Sequence, residues 1–443
     1  MSENTSAPMT IDAYDLFVDP QFLASHPKNS FTLASAKRLT SEEGVEVQPK
    51  SDPTVVVFSE FEHPSVLSAP RRRPRTALWG SGEHVMLGDH VSLPGVPTGT
   101  KFGIGRKADI LVTYGQILAL AGDFFGVPSA PISQGPEIDA GGRFSNAYMQ
   151  LFLTGNQEIS TILGMIQEEI DALNKAIRSG GKPSDAYKQF GIDRELKFNS
   201  VTNGRYLDLA ATNFDHFGDG AVAAYKAGHA YALAVAENAG KGYTIMPGGR
   251  QFTLEDAYIA NAFADHFLSD LFSAGHLRTD RVKLHNWSIV GIPFSFLKCG
   301  DYLAMYVHDE DSHYGLNVEN ERAGRGDQWR CYGDKRYFNP ENQRNRELCE
   351  EAVKVSIQEI YNAYQTKNGA NVFGALKLIP NLAKARDWKT NPNNRVLFYF
   401  EGDRLYERKD VNNLGDNNYV ECLTGPVTAA DLKIRYNPPG WND

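Results

Sequence analysis

The chain has 443 residues, 42% of them hydrophobic and 22% charged, which excludes a disordered or fibrous protein and supplies a large core. Its 45 Lys and Arg against 54 Asp and Glu give a formal net charge of −9, so the chain as a whole is not an electrostatic binder of nucleic acid. The four cysteines (Cys299, Cys331, Cys349 and Cys422) form no CxxC pair and indicate neither a disulfide framework nor a thiolate zinc site, which leaves the eleven histidines as the informative count.

Residues Met1 to Thr10 carry neither the positive start nor the apolar stretch of a secretory signal, and about 18 uninterrupted apolar residues occur nowhere. A soluble, cytoplasmic protein with no transmembrane segment is expected; secretion by a non-standard route stays open. Residues 1–75 mix prolines, short β-like runs such as Val55 to Phe58 and the basic run Arg71 to Arg75, and read as an irregular arm. The first helix follows Thr113, where Ile117, Leu118, Leu120 and Ala121 lead into a stop from Gly122 to Pro128. A second spans about 156–178, with Ile159, Ile162, Ile166, Ile170, Leu173 and Ile177 on one face and Gly180 and Gly181 closing it. A third, alanine-rich, covers about 219–238. The fourth starts after Thr253, has Asp256 in the capping-box position, and runs through Phe263, Phe267 and Leu271 to Gly275. Another helix occupies about 345–365. Beyond 390, Val396 to Phe400, the turn at Gly402 and Leu405-Tyr406 read as a hairpin, with a further strand near Leu432 to Tyr436.

The fourth helix carries the chemistry. It is apolar nearly all round, so it is expected to be buried, yet Asp265, His266 and Asp270 lie in its middle, and buried charge is costly unless paired or bound to a metal. His266 and Asp270, four apart, share a face; His276 follows six residues later. Two imidazoles and a carboxylate from one short stretch are donors that zinc accepts. His229 and His285 carry no such pattern and read as structural.

The stretch from His266 through Asp270 to His276 resembles the central metal motif of the trinuclear-zinc phosphodiesterases, which include phosphatidylcholine-hydrolysing phospholipases C and single-strand-specific zinc nucleases. Three further stretches are similar to the phospholipase C branch, most of all its larger bacterial and fungal members: Thr113 to Gly126, Asn213 to Gly218, and Val307 to Asn320. The resemblance covers about 80–335. It implies an all-helical fold with up to three zinc ions in a cleft between helices. Residue by residue, it implies that Asp123, His216, His266 and Asp270 hold the first zinc, with Asp270 bridging towards a second. It implies that His276 and His308 hold another with a carboxylate. In the family that carboxylate stands four residues after the histidine; Ser312 stands there in this chain, so the ligand is expected to be Asp311 or Asp309. The smaller relatives hold the remaining zinc through a mature N-terminal Trp and a nearby His, and the substitute in this chain is His84, preceded by Trp79. His313 is a second-rank candidate.

Zinc brings the pKa of water towards about 7, which implies hydrolysis by hydroxide attack on phosphorus, with Asp123 orienting or deprotonating the water. Phe124, Trp79 and Tyr314 are candidate substrate-binding aromatics, suited to a quaternary ammonium head group. The reading is thus a mainly α protein in three parts: an irregular arm (1–75), a helical-bundle zinc phosphodiesterase domain (76–370) and a β-containing C-terminal extension (371–443). The expected activity is that of a phospholipase C, releasing diacylglycerol and phosphocholine from phosphatidylcholine-like lipids. Its partner is a phospholipid or other phosphodiester, with peripheral membrane contact as an option and no specific nucleic-acid partner indicated. The alternatives are a single-strand-specific zinc nuclease and a recruited enzyme or non-catalytic protein binding a small metabolite.

Overall fold

The computed structural model describes residues 80–245, 249–287, 298–322, 326–387, 393–423 and 425–441; the arm 1–75 and Trp79 lie outside the described residues. In chain order, α1 (Ser81–Asp89) is followed by the hairpin β1 (Phe102–Ile104) and β2 (Ile110–Val112), then α2 (Tyr114–Leu120), α3 (Ala140–Leu153), α4 (Asn156–Arg178), α5 (Ile192–Val201), α6 (Arg205–Ala211), α7 (Gly218–Lys241) and α8 (Leu254–Asp270). Next come α9 (Ala274–Arg278), α10 (Arg281–Trp287), α11 (Cys299–Tyr314), the hairpin β3 (Leu316–Glu319) and β4 (Gln328–Cys331), and α12 (Gln343–Thr366). The chain closes with α13 (Leu382–Arg386), the antiparallel strands β5 (Phe398–Glu401), β6 (Arg404–Arg408) and β7 (Tyr419–Glu421), and α14 (Gly425–Arg435). The architecture is mainly helical. No described helix is long and apolar enough to cross a membrane.

α8 is the axis of the core. Its start is fixed by the expected capping box, in which Thr253 Oγ1 accepts from the Asp256 amide and Asp256 accepts from the Thr253 amide. Every residue from 257 to 279 is buried, because α2, α7 and α12 all pack on α8. The helix nevertheless ends at Asp270 and not at Gly275. The Phe272 carbonyl is drawn out of the helical ladder by Asn345 Nδ2 of α12 at 2.7 Å, Ser273 is extended, and α9 starts afresh at Ala274. This break turns His276 back towards Asp270.

α1 crosses α2 backbone to backbone: a Cβ on Gly115 would collide with the Val85 carbonyl, so only glycine admits the approach that lays His84 over the turn after α2.

A second apolar cluster joins the C-terminal strands and α14 to α10 and α11. The expected hairpin near 396–406 is present as β5 and β6, paired from Phe398 with Glu407 to Glu401 with Arg404. The expected strand at Leu432 to Tyr436 is instead the end of α14: Ala429, Leu432 and Tyr436 are buried at helical spacing, whereas Ile434, which completes an alternating pattern, is 73% exposed. The extension is locked to α11 by the buried Arg408, which donates to both Glu310 oxygens at 2.9 and 2.6 Å while the Tyr436 hydroxyl donates to Glu310 Oε2 at 2.7 Å. Truncating one partner of a buried ion pair strands the other, so Arg408→Ala should lower the free energy of unfolding by about 3–5 kcal/mol in chemical denaturation. A loss of no more than about 1 kcal/mol, the size of an exposed pair, would contradict this packing.

Candidate metal centre

Asp270 lies at the C-terminal end of α8, fully buried, and four imidazoles converge on it. Its Oδ2 is 2.8 Å from His216 Nδ1 and 3.5 Å from His266 Nε2. Its Oδ1 is 3.7 Å from both His84 Nε2 and His276 Nδ1. Asp123 approaches from the turn after α2, with Oδ1 3.9 Å from His216 Nδ1. On the other side of His276, Asp334 Oδ2 stands 3.6 Å from His276 Nε2 and 2.9 Å from His308 Nε2. Three groups of donor atoms thus lie within 4.8 Å of one another: His84, Asp123 and His266; His216, His266 and Asp270; His276, His308 and Asp334. Donors about 2.0–2.1 Å from a tetrahedral zinc stand about 3.3 Å apart, so these spacings fit the ion.

The supporting contacts aim these side chains. The Leu118 carbonyl, 2.9 Å from His266 Nδ1, can only accept, so that nitrogen carries the proton and Nε2 presents its lone pair to the centre. Asp309, 3.0 Å from His308 Nδ1, does the same for His308, and Ser269 Oγ holds His84 Nδ1 at 3.2 Å. Ser273 Oγ donates to Asp334 Oδ1 at 2.5 Å and leaves Oδ2 facing the imidazoles. Gly122 is left-handed at φ +65°, and a Cβ there would strike His266 Nε2 and lie 2.7 Å from His216 Cε1. Two rings meet where any larger residue would stand.

What the centre lacks is as telling. Asp123 Oδ2, both Asp270 carboxylate oxygens, His276 Nδ1, His308 Nε2 and Asp334 Oδ2 are buried and make no aligned hydrogen bond. The short approaches between His308 and Asp334 and between His216 and Asp270 are off the hydrogen-bonding direction. Buried carboxylates and imidazoles in that state are expensive, and a cation at their focus removes the cost.

The electrostatics agree. Burial pushes Asp123 and Asp270 up to about 8, despite the opposing pull of His216 on Asp123 and of His276 on Asp270. Burial holds His84 and His266 well below the ordinary histidine range and lowers His216 as well. Burial alone would lower His308, but Asp334 and Asp309 hold it up to about 10. Asp334, against the upward push of burial, is kept well below the usual carboxylate range by His308 and His276.

The expected ligands His84, Asp123, His216, His266, Asp270, His276 and His308 therefore come together. Asp311 does not: it is held by the Arg278 guanidinium at 2.7 and 2.6 Å, and Asp334 fills the place beside His276 and His308. Phe124 is buried against Phe198 and Tyr206 and offers no face to a substrate. Tyr314 donates to the Pro439 carbonyl at 2.7 Å and stacks on Trp441, away from the centre. His313 meets Arg336. His229 bonds Asn261 and Glu359, and His285 bonds Asp301, as structural histidines do. Asp334 escaped the sequence reading; the one signal was Ser312, which says that the carboxylate comes from elsewhere without saying where.

Beside Gly122 and His216 lies a small cleft lined both by apolar side chains, among them Phe125, Val127 and Leu209, and by the polar Thr212, Asn213 and Asp215, with no Lys or Arg in its lining. Asp215 shapes one wall by accepting from the Ile132 and Ser133 amides at 2.7 and 2.6 Å. No family model, curated protein or solved structure matches the chain.

The shifts fix a pH dependence for the metal-free protein. Asp123 and Asp270, raised to about 8, lose their contribution to stability as pH climbs from their ordinary range through 8, and His308, raised to about 10, begins to lose its own above the model-compound value of 6.5. The depressed histidines cost stability only below 6.5. Between about pH 6.5 and 8 every shift acts in one direction, so the Tm of chelator-treated protein should fall, while added zinc should raise Tm by more at pH 8 than at pH 6.5, because ligation needs deprotonated donors. A metal-free Tm that rises across this window would contradict the assignment.

Proposed function

We propose that the protein is a zinc-dependent phosphodiester hydrolase of the phospholipase C type, cleaving phosphatidylcholine-like lipids to diacylglycerol and a phosphorylated head group. The observation that carries the proposal is the set of three buried His/Asp groups, two of them sharing His266, with buried carboxylate oxygens of Asp123, Asp270 and Asp334 that make no hydrogen bond. His84, Asp123, His216, His266 and Asp270 would hold ions on one side of the centre, and His276, His308 and Asp334 an ion on the other. When bound, zinc ions acidify water towards about pKa 7 and offset the negative charge that builds on phosphoryl oxygens.

The chain's own residues supply the rest. Asp270 would be a ligand shared within the centre, since its Oδ2 faces His216 and His266 and its Oδ1 faces His84 and His276. Asp123, whose buried Oδ2 makes no hydrogen bond, would serve as the acceptor that orients or deprotonates the attacking water. The lack of Lys and Arg in the cleft lining argues against a polyanionic strand, which would call for a basic groove with stacking aromatics.

Elemental analysis should find at least two zinc ions per chain, and a chromogenic phosphocholine ester should turn over in a chelator-sensitive way while denatured DNA yields no nucleotides. Asp270→Asn should lose more than about 100-fold in turnover, beyond what an outer-shell change brings. Nucleotide release with an inert ester would replace the lipid by nucleic acid as substrate, and fewer than two zinc ions per chain would overturn the proposal.

A further inference from the structure

We infer that Glu83 is a positioning residue that holds Asp334 in place and thereby sets the affinity of the His276, His308 and Asp334 group for zinc; the inference rests on the reading of that group as a metal site. Glu83 is next to His84 on α1, and its side chain is buried, 1% exposed. Its Oε2 accepts the Lys335 amide at 3.0 Å and its Oε1 the Tyr337 amide at 3.0 Å. Both amides belong to the turn that carries Asp334, so one side chain of the first helix grips a segment some 250 residues later in the chain.

That turn needs a grip. Lys335, the residue directly after Asp334, has φ +65°, a left-handed conformation that costs any residue with a Cβ. On its other flank Gly333 lies flat against Ser312, donating its amide to the Ser312 carbonyl at 3.1 Å, and a Cβ on Gly333 would collide with the Ser312 side chain. A serine at 312 therefore does two things: it offers no carboxylate from α11, and it is small enough for the turn to come in beside His308. The carboxylate arrives on that turn, and Ser273 and Glu83 fix it from two sides. Strain at Lys335 favours release of the turn, and the two bonds to Glu83 oppose it.

The test is metal binding by the full chain, with zinc titrated into chelator-treated protein and Co(II) absorption reporting the coordination of the last ion bound. Glu83→Gln keeps one acceptor and should weaken that ion by about 10- to 100-fold, the usual range for an outer-shell partner, while the ions on the His216, His266 and Asp270 side stay. Adding Lys335→Gly to Glu83→Gln should recover affinity, because glycine takes the left-handed conformation without penalty. Asp334→Asn should lose the same ion. If Glu83→Gln does not fold, as read by circular dichroism, Glu83→Asp, which keeps the charge but falls short of the two amides, should give the same weakening. An unchanged affinity in the Glu83 variants, beside an Asp334→Asn chain that loses the ion, would overturn the role of Glu83 and leave the metal site standing. A double variant as weak as Glu83→Gln would overturn the mechanism through the strained turn. An Asp334→Asn chain that binds as many ions as the parent would overturn the site itself.

Discussion

The Asp270 carboxylate is buried with neither oxygen in a hydrogen bond, and four imidazole rings face it. No fold gathers such groups for stability, since each loses hydration and gains no partner of matching direction. The surrounding structure has to hold them together against that cost. It does so with the longest unbroken buried segment among the described residues, 257–279, enclosed by α2, α7 and α12. Bound cations turn the same arrangement from a cost into a gain, which is how a metal centre couples its occupancy to stability.

The rest of the architecture serves that constraint. The break after α8 brings His276 back towards Asp270, and an asparagine on α12 holds the carbonyl that would have continued the helix. The glycine crossing of α1 over α2 lays His84 above the turn that contains Asp123. α11, which carries His308, is held by two arginines: Arg278 holds Asp311 and reaches the Asn394 carbonyl, and Arg408 of the C-terminal strands holds Glu310. The C-terminal extension is thus tied into the helix that forms one wall of the centre. A polar network beside it, in which Tyr114 and Ser356 donate to Asp265 at 2.7 and 2.6 Å, satisfies the carboxyl group next to His266 and keeps it out of the centre.

Much of this could be read from residues alone, and the failures have physical causes. The helix at 156–178 has a clear apolar stripe, and its observed bounds are Asn156–Arg178. The start of α8 was legible in Thr253 and Asp256 because a cap is a local interaction. Its end was not, because Leu271 to Ala274 are as buried as the helix before them, and an apolar run does not tell a continuing helix from a buried turn. Leu432, Ile434 and Tyr436 alternate as in a strand, but three residues are too few to outweigh the helix they close. His266, Asp270 and His276 were legible because a short stretch of chain places them together. Asp334 was not, because a hairpin, a left-handed lysine and a glutamate on the first helix combine to bring it in, and none of these is local. Asp311, nearer in sequence to His308, was taken by an arginine.

Anomalous diffraction at the zinc edge, from crystals of the full chain grown with zinc, would locate bound ions around Asp270. Peaks are expected around Asp270, each about 2.0–2.2 Å from a carboxylate oxygen or an imidazole nitrogen of the named residues. An Asp270 carboxylate with no peak beside it, and zinc only at exposed histidines such as His90, would contradict a metal centre at Asp270.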